Sequence, residues 1–272
     1  MYGAIIGDMV GAPYEFDTKK QPKDLKLWSN NERYTDDTVM TVAVADALMK
    51  VSDNASEEEI KQRVIQSMRY FGFEYPHESY GIRFNQWLHS ENPRPYNSWG
   101  NGAAMRISSV GWLYPTLERT LEVAKWVTEV THNHEEGIKG AQCIAEAIFL
   151  SRSNKICYKD KQHLRNRLMD DFGYDLNRTC DEIRPTYQFN ESCQETVPQA
   201  LIAFFDGNDF EDVLRNAVSL GGDCDTLTCI ACAVAEAYYG VPVEFKQEAL
   251  KRLDYRLTEV LKKFSSEVVK CI

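Results

Sequence analysis

With 272 residues, 43% of them hydrophobic and 11% aromatic, the chain can bury a sizeable core and has the composition of a folded globular protein. A formal net charge of −10 argues against general nucleic-acid binding, which depends on neutralising phosphates with Lys and Arg. No run of about eighteen apolar residues occurs, and Met1-Tyr2-Gly3 opens without a basic leader, so a soluble cytoplasmic protein that meets no membrane is expected.

Apolar residues recur with helical spacing along most of the chain, and strand-like alternation is scarce. The spacing predicts helices near 3–12, 38–51, 57–71, 79–90, 102–110, 118–131, 135–151, 159–171, 195–206, 209–220, 226–240 and 252–268. That is an all-α, compact bundle with no internal repeat and no linker. Glu15 closes the first helix, as an exposed acid or as a carboxylate near a metal. It opens the loop Glu15 to Tyr34, long enough to act as a flap. Thr35-Asp36-Asp37-Thr38 then starts a helix whose apolar positions are Met40, Val44, Ala47, Leu48 and Val51. Ser56 with Glu57, Glu58 and Glu59 is a capping box for the next.

The segment Asn92 to Asn101 is dense in Pro, Asn and aromatic residues. Its end, Ser98, Trp99, Gly100, Asn101 and Gly102, offers hydroxyl, indole, amide and bare backbone to a ribose, phosphate or aromatic base, or forms a plain turn. His132 and His134 bind a ligand or cap the helix near Glu135. The basic run Arg152 to Arg167, with Lys155, Lys159, Lys161 and Arg165, reads as a solvated helix face. A third loop runs from Gly173 to Glu195. Gly221-Gly222, either a helix C-cap or a place of close backbone approach, precedes Asp223-Cys224-Asp225-Thr226 and another helix. Cys229 and Cys232 lie inside that helix with no second pair or histidine to complete a zinc site, so they read as core. All eight cysteines are expected as reduced thiols.

The two acidic segments carry the chemistry. Asp and Thr are ordinary N-cap residues, and acids favour the positive end of a helix. One cap needs one acceptor, however, and each segment supplies two carboxylates with threonine beside them. Asp36, Asp37, Asp223 and Asp225 with the hydroxyls of Thr35 and Thr226 make an all-oxygen set suited to Mg²⁺ or Mn²⁺, provided the segments meet.

Taken together, Gly3-Ala4-Ile5-Ile6-Gly7-Asp8, Gly11-Ala12-Pro13-Tyr14-Glu15, Thr35-Asp36-Asp37-Thr38, Ser98 to Arg106, Thr131-His132 and Gly221 to Thr226 resemble the ADP-ribosylglycohydrolase family. That family includes the dinitrogenase reductase-activating glycohydrolases and the ADP-ribosylhydrolases with a dinuclear metal site. The resemblance implies one such domain over 1–272, acting as a monomer, with two divalent cations, Mg²⁺ or Mn²⁺, held by the two acidic segments and bridged by Asp225. It implies that Ser98 and the backbone of Gly100 to Gly102 hold a diphosphate, that Trp99 lies near the adenosine, that His132 lines the phosphate or ribose pocket, and that Glu15 is a metal-proximal or flap acid with a catalytic part. Serine is the commoner family residue where this chain has Cys224, which is not an expected ligand.

The reaction so implied is hydrolysis of an N- or O-glycosidic bond to ADP-ribose, with Asp36 or Asp37 as base and an ADP-ribosylated protein or small molecule as substrate, ADP-ribosyl-arginine first. Binding without turnover, and cleavage of the diphosphate by a dinuclear phosphohydrolase, are the alternatives.

Overall fold

Helix α13 (Cys224–Tyr239) is small or apolar on every side and buried continuously from Cys224 to Ala235, as a helix running through the middle of a core must be. In the computed structural model, which describes residues 1–17, 19–29, 32–152 and 160–271, the other helices wrap round it. They are α1 (Tyr2–Gly11), continued by a 3₁₀ turn (Ala12–Tyr14), α2 (Asp36–Leu48), α3 (Glu57–Glu74), α4 (Ile82–His89), α5 (Gly102–Met105), α6 (Ser108–Leu113) and α7 (Leu117–Glu129). The second half adds α8 (Glu135–Arg152), α9 (Lys161–Phe172), α10 (Cys180–Ile183), α11 (Cys193–Asp206), α12 (Phe210–Leu220), α14 (Val243–Arg252) and α15 (Tyr255–Cys271). Helices α1, α8, α11 and α12 pack directly on α13. There is no strand among the described residues, only an isolated antiparallel bridge between Gly100 and Ser192. No helix there is long and apolar enough to cross a membrane.

Helix α1 touches α13 through backbone. Gly3, Gly7 and Gly11 recur every four residues, so they share one face, and a Cβ at each would fall 2.0 Å from Cys232 O, 2.3 Å from Thr228 O and 2.5 Å from Cys224 O. The order of those partners makes the two helices antiparallel.

The expected all-α bundle is the observed one, with local differences. The predicted helix 102–110 is two, α5 and α6, because Arg106 leaves helical geometry (φ −92°, ψ 2°) and buries its side chain. Helices α10 and α14 carry too few apolar positions to show periodicity, although Thr179 and Glu182 form a complete capping box at α10. Helix α15 starts after Asp254, which accepts from the Leu257 N–H and separates it from α14. Ser56 caps α3 as expected.

Part of the basic run, including Lys155, Lys159 and Cys157, falls outside the described residues. Lys161 is not on a solvated face. Its ammonium donates to Phe204 O at 2.7 Å, Phe205 O at 3.3 Å and Gly207 O, satisfying the carbonyl end of α11. The thiols of Cys229 and Cys232 are buried and unbridged, in keeping with a core role.

The α1–α13 contact has a measurable consequence. Gly7→Ala gains about 0.5–1 kcal/mol of helix propensity but must push α1 off Thr228 O, an overpacking cost of about 1–3 kcal/mol or more. Differential scanning fluorimetry should show Tm several degrees lower, whereas Gly81→Ala, with nothing within 4 Å of its added Cβ, should leave Tm nearly unchanged.

Candidate metal centre

The approach of α1 to α13 sets Asp8 beside Asp225, near enough for the charge on Asp225 to raise the Asp8 carboxyl. Asp8 also fixes the start of α2. Its carboxylate accepts from Thr35 N (2.9 Å), Thr35 Oγ1 (2.8 Å), Thr38 N (3.0 Å) and Thr38 Oγ1 (2.5 Å), so an acid from another helix satisfies donors that the first turn of α2 cannot. Thr35 is the N-cap of α2, and its hydroxyl accepts from Asp37 N–H. Asp223 takes the N-cap position of α13. The acidic segments therefore start their helices two residues earlier than the apolar spacing suggests.

The two segments meet. Thr226 Oγ1 donates to Asp37 Oδ2 at 3.2 Å, a contact between residues 189 apart in sequence. Carboxylate oxygens of Glu15, Asp223 and Asp225 all lie within 4.8 Å of one another. Asp37 Oδ1 is buried with no hydrogen-bond partner. Asn101 Nδ2 donates to Asp223 Oδ2 at 2.7 Å and to Thr196 Oγ1 at 3.0 Å, tying this cluster to the turn that follows Trp99.

The charge is badly compensated without a cation. Burial first, then Asp225, pushes Asp8 up to about 7 even though it accepts four hydrogen bonds of a kind worth about 1.5–3 kcal/mol each. Burial first, then Asp225, Asp8 and Glu191, pushes Glu15 up to about 8. Asp36, Asp37 and Asp223 are driven well above the usual carboxylate range, again by burial first and by Asp225 second, and Asp225 is raised by burial. Oxygen-only donors, an orphaned carboxylate oxygen and mutual repulsion all fit a hard divalent cation.

Beside the acids lies a cleft of ≈ 390 Å³ lined by Arg83, Ser98, Trp99, Gly100, Phe189 and Glu191. Two backbone bonds, Asn101 N to Glu191 O (2.7 Å) and Cys193 N to Trp99 O (2.9 Å), stitch its walls together. Ser98 Oγ accepts from Gly100 N–H at 3.1 Å. Trp99 is 48% exposed and meets His134 edge-on at 5.5 Å, leaving much of its ring open. His134 Nδ1 accepts from Glu136 N–H at the start of α8, so of the two histidines this one caps. His132 is buried against Arg106.

Of the residues singled out from sequence, Glu15, Asp223 and Asp225 come together most tightly. Asp37 and Thr226 join them through their hydrogen bond, and Thr35 through Asp8. Ser98, Trp99 and Gly100 line the neighbouring cleft, and Asn101 links it to the acids. Gly221 is the C-cap of α12 and Gly222 follows at φ +79°, a left-handed pair that aims Asp223 inward. The Glu15–Tyr34 loop is tethered rather than free-standing. Lys20 Nζ donates to Tyr187 O (2.5 Å) and Leu220 O, Arg215 to Lys23 O (2.7 Å) and Leu25 O (2.8 Å), and Arg252 to Ser29 O (3.1 Å). Sequence reasoning gave no role to Asp8 or Arg106, and it missed Arg83, Phe189 and Glu191. Asp8 and Arg106 lie in quoted motifs, but nothing local marks Asp8 as the cap of a helix 27 residues away.

Metal and protons should compete. In the metal-free protein the raised carboxyls keep protons that the unfolded chain has lost, so stability falls as pH rises from the ordinary carboxylate range, about 4, through about 7 to 8 for Asp8 and Glu15. A divalent cation displaces those protons. Mg²⁺ or Mn²⁺ added to EDTA-treated protein should therefore raise Tm more at about pH 8 than at about pH 5.5. An equal rise at both would mean the cation binds elsewhere.

Comparison with known proteins gives the family. The sequence matches the ADP-ribosylglycohydrolase family over residues 1–270. The ADP-ribosylhydrolase ARH3 of Xenopus tropicalis is 23% identical over 92% of this chain and 89% of that protein. The ADP-ribosyl-dinitrogen reductase glycohydrolase of Rhodospirillum rubrum is 25% identical over 96% of this chain and 91% of its own length. A solved structure described as an ADP-ribosylglycohydrolase-related protein complex shares the fold, with a TM-score of 0.67 at 21% identity, covering 99% of this chain and 94% of that one. With the match running almost end to end and the acidic segments meeting in space, the chain belongs to the ADP-ribosylglycohydrolase family.

Proposed function

We propose that this protein is a metal-dependent hydrolase that cleaves the N- or O-glycosidic bond between ADP-ribose and an acceptor, releasing ADP-ribose. The observation that carries the reading is the meeting of Glu15, Asp223 and Asp225, with Asp37 of α2 tied in through Thr226 and Asp8 of α1 set beside Asp225, joined through Asn101 to a cleft with an open indole. The activities in the names of its relatives support the same class.

Thr35, Asp36 and Asp37 would hold one divalent cation and Asp223, Asp225 and Thr226 the other, with Asp225 shared. Bound there, Mg²⁺ or Mn²⁺ would neutralise the acids, orient the ribose hydroxyls and acidify a water. Trp99 stacks on the adenine, and Ser98 with the backbone of Gly100 to Gly102 holds the diphosphate, which orients the distal ribose toward the acids. Asp36 or Asp37 takes a proton from the water that attacks the anomeric carbon. The surrounding carboxylates stabilise positive charge on C1 as the acceptor leaves with the bonding electron pair. The carboxylate side chain of Glu191 lines the cleft, which favours a cationic acceptor such as the guanidinium of ADP-ribosyl-arginine over a neutral one.

Turnover of arginine-linked, serine-linked and O-acetyl ADP-ribose should be assayed with Mg²⁺, Mn²⁺ and EDTA, with the product identified. Intact ADP-ribose, fastest from the arginine conjugate and abolished by EDTA, is expected. Asp225→Asn should lower kcat at least about 100-fold, as loss of several kcal/mol of transition-state stabilisation implies. AMP with ribose phosphate would replace this reading with diphosphate cleavage, and tight binding of ADP-ribose without turnover would replace it with a binding module.

A further inference from the structure

The hydrogen bonds around His132 determine which of its nitrogens carries the proton. Arg106 is 1% exposed, and its Nη2 lies 2.8 Å from His132 Nδ1 and 2.6 Å from Thr131 Oγ1. Thr131 Oγ1 is itself 2.8 Å from the same Nδ1. A guanidinium has donors and no acceptor, so an Nδ1 facing it must offer its lone pair. The proton of a neutral imidazole then sits on Nε2, and an imidazolium would set one N–H against another. Burial, with the charges of Arg106 and Arg83 adding to it, also holds His132 well below the usual histidine range.

Nε2 points to the working side of the ring. It would lie 3.4 Å from a Cβ at Gly100 and 3.3 Å from one at Gly102, so two missing side chains leave it room at the turn that borders the cleft. Among the described residues it has no hydrogen-bond partner. The adjoining turn residue Asn101 is fixed on Asp223, which gives this nitrogen a set position relative to the acids.

We propose that Arg106 is a positioning residue: it fixes His132, which the family resemblance already puts in the phosphate or ribose pocket, as the Nε2–H tautomer, and so makes Nε2 a donor to a diphosphate oxygen at the Gly100–Gly102 turn. The choice of a diphosphate rests on the ADP-ribose reading above. The assignment gives the buried guanidinium a use beyond packing. It holds a neutral ring as a constant donor, and its own charge stays too deep for the ligand to pair with.

The test uses full-length, cation-loaded protein with ¹⁵N-labelled histidine. Of the five histidines in the chain, the one absent from the spectrum of His132→Gln is identified as His132. Long-range ¹H–¹⁵N correlation at about neutral pH should show it neutral and protonated at Nε2. In Arg106→Met, with folding followed by circular dichroism, the Thr131 hydroxyl alone faces Nδ1 and can donate or accept, so both tautomers should appear. Calorimetry with ADP-ribose supplies a measurement that does not depend on that variant folding. His132→Gln, whose amide nitrogen takes the place of Nε2, should lose at most about threefold in affinity. His132→Leu should lose about 10- to 100-fold, as expected for a hydrogen bond to an anion. An Nδ1–H ring in the wild type, or equal losses for Gln and Leu, would overturn the proposal. If the wild type failed to bind ADP-ribose, the substrate reading and the donor role would fall together, and the spectrum would still decide the tautomer.

Discussion

The site depends on the contact between α1 and α13, in which three glycines spaced by four residues let two helices touch at their backbones. Any larger residue at those positions separates Asp8 from Asp225 and, through Asp8, loosens α2. The constraint reaches further than a packing preference would. Asp8 holds both threonines of the Thr35 to Thr38 segment, and Thr226 reaches across to Asp37, so one helix–helix distance sets the geometry of both acidic clusters. Burying α13 on all sides then makes the arrangement rigid.

That rigidity has an electrostatic cost. Acids are normally welcome at helix N-termini, yet here burial and mutual repulsion outweigh the helix ends and the hydrogen bonds, as the raised Asp8 shows most directly. A fold under selection for stability alone would dilute such a cluster. Its density makes sense where a cation supplies the missing charge, and the fold then contributes to metal affinity by holding repelling ligands together in advance.

What was legible in the sequence was local. Two acidic segments, each at the head of an apolar repeat, identified helix N-termini carrying paired carboxylates because caps and periodicity are written within a few residues of one another. Glu15 could be seen as a candidate and no more, since its value depends on where the 3₁₀ turn delivers it. Asp8 was hidden for the same reason: its partners are threonines on a helix whose approach is decided by glycines and by α13. Arg106 sat in what read as a continuous helix, and only the buried partners Thr131 and His132 account for the break. Lys161 looked like one charge among many until its carbonyl acceptors at the end of α11 were in place.

The centre and the cleft are built from different materials, and this bears on how specificity is divided. Most of the carboxylates ride on helices fixed by the core, with Glu15 delivered by the 3₁₀ turn after α1, whereas much of the cleft wall, including Phe189 and Glu191, comes from connecting segments. Phe16 and Phe189 stack at 5.8 Å across two of those segments, and both are substantially exposed. Asn101 joins the parts, since its side chain is committed to Asp223 and Thr196 while its flanking glycines face His132. A change at Asn101 therefore disturbs the acidic cluster and the cleft together. Changes at the rim can reshape the cleft while leaving the acids in place, so the two parts can vary separately on one fold.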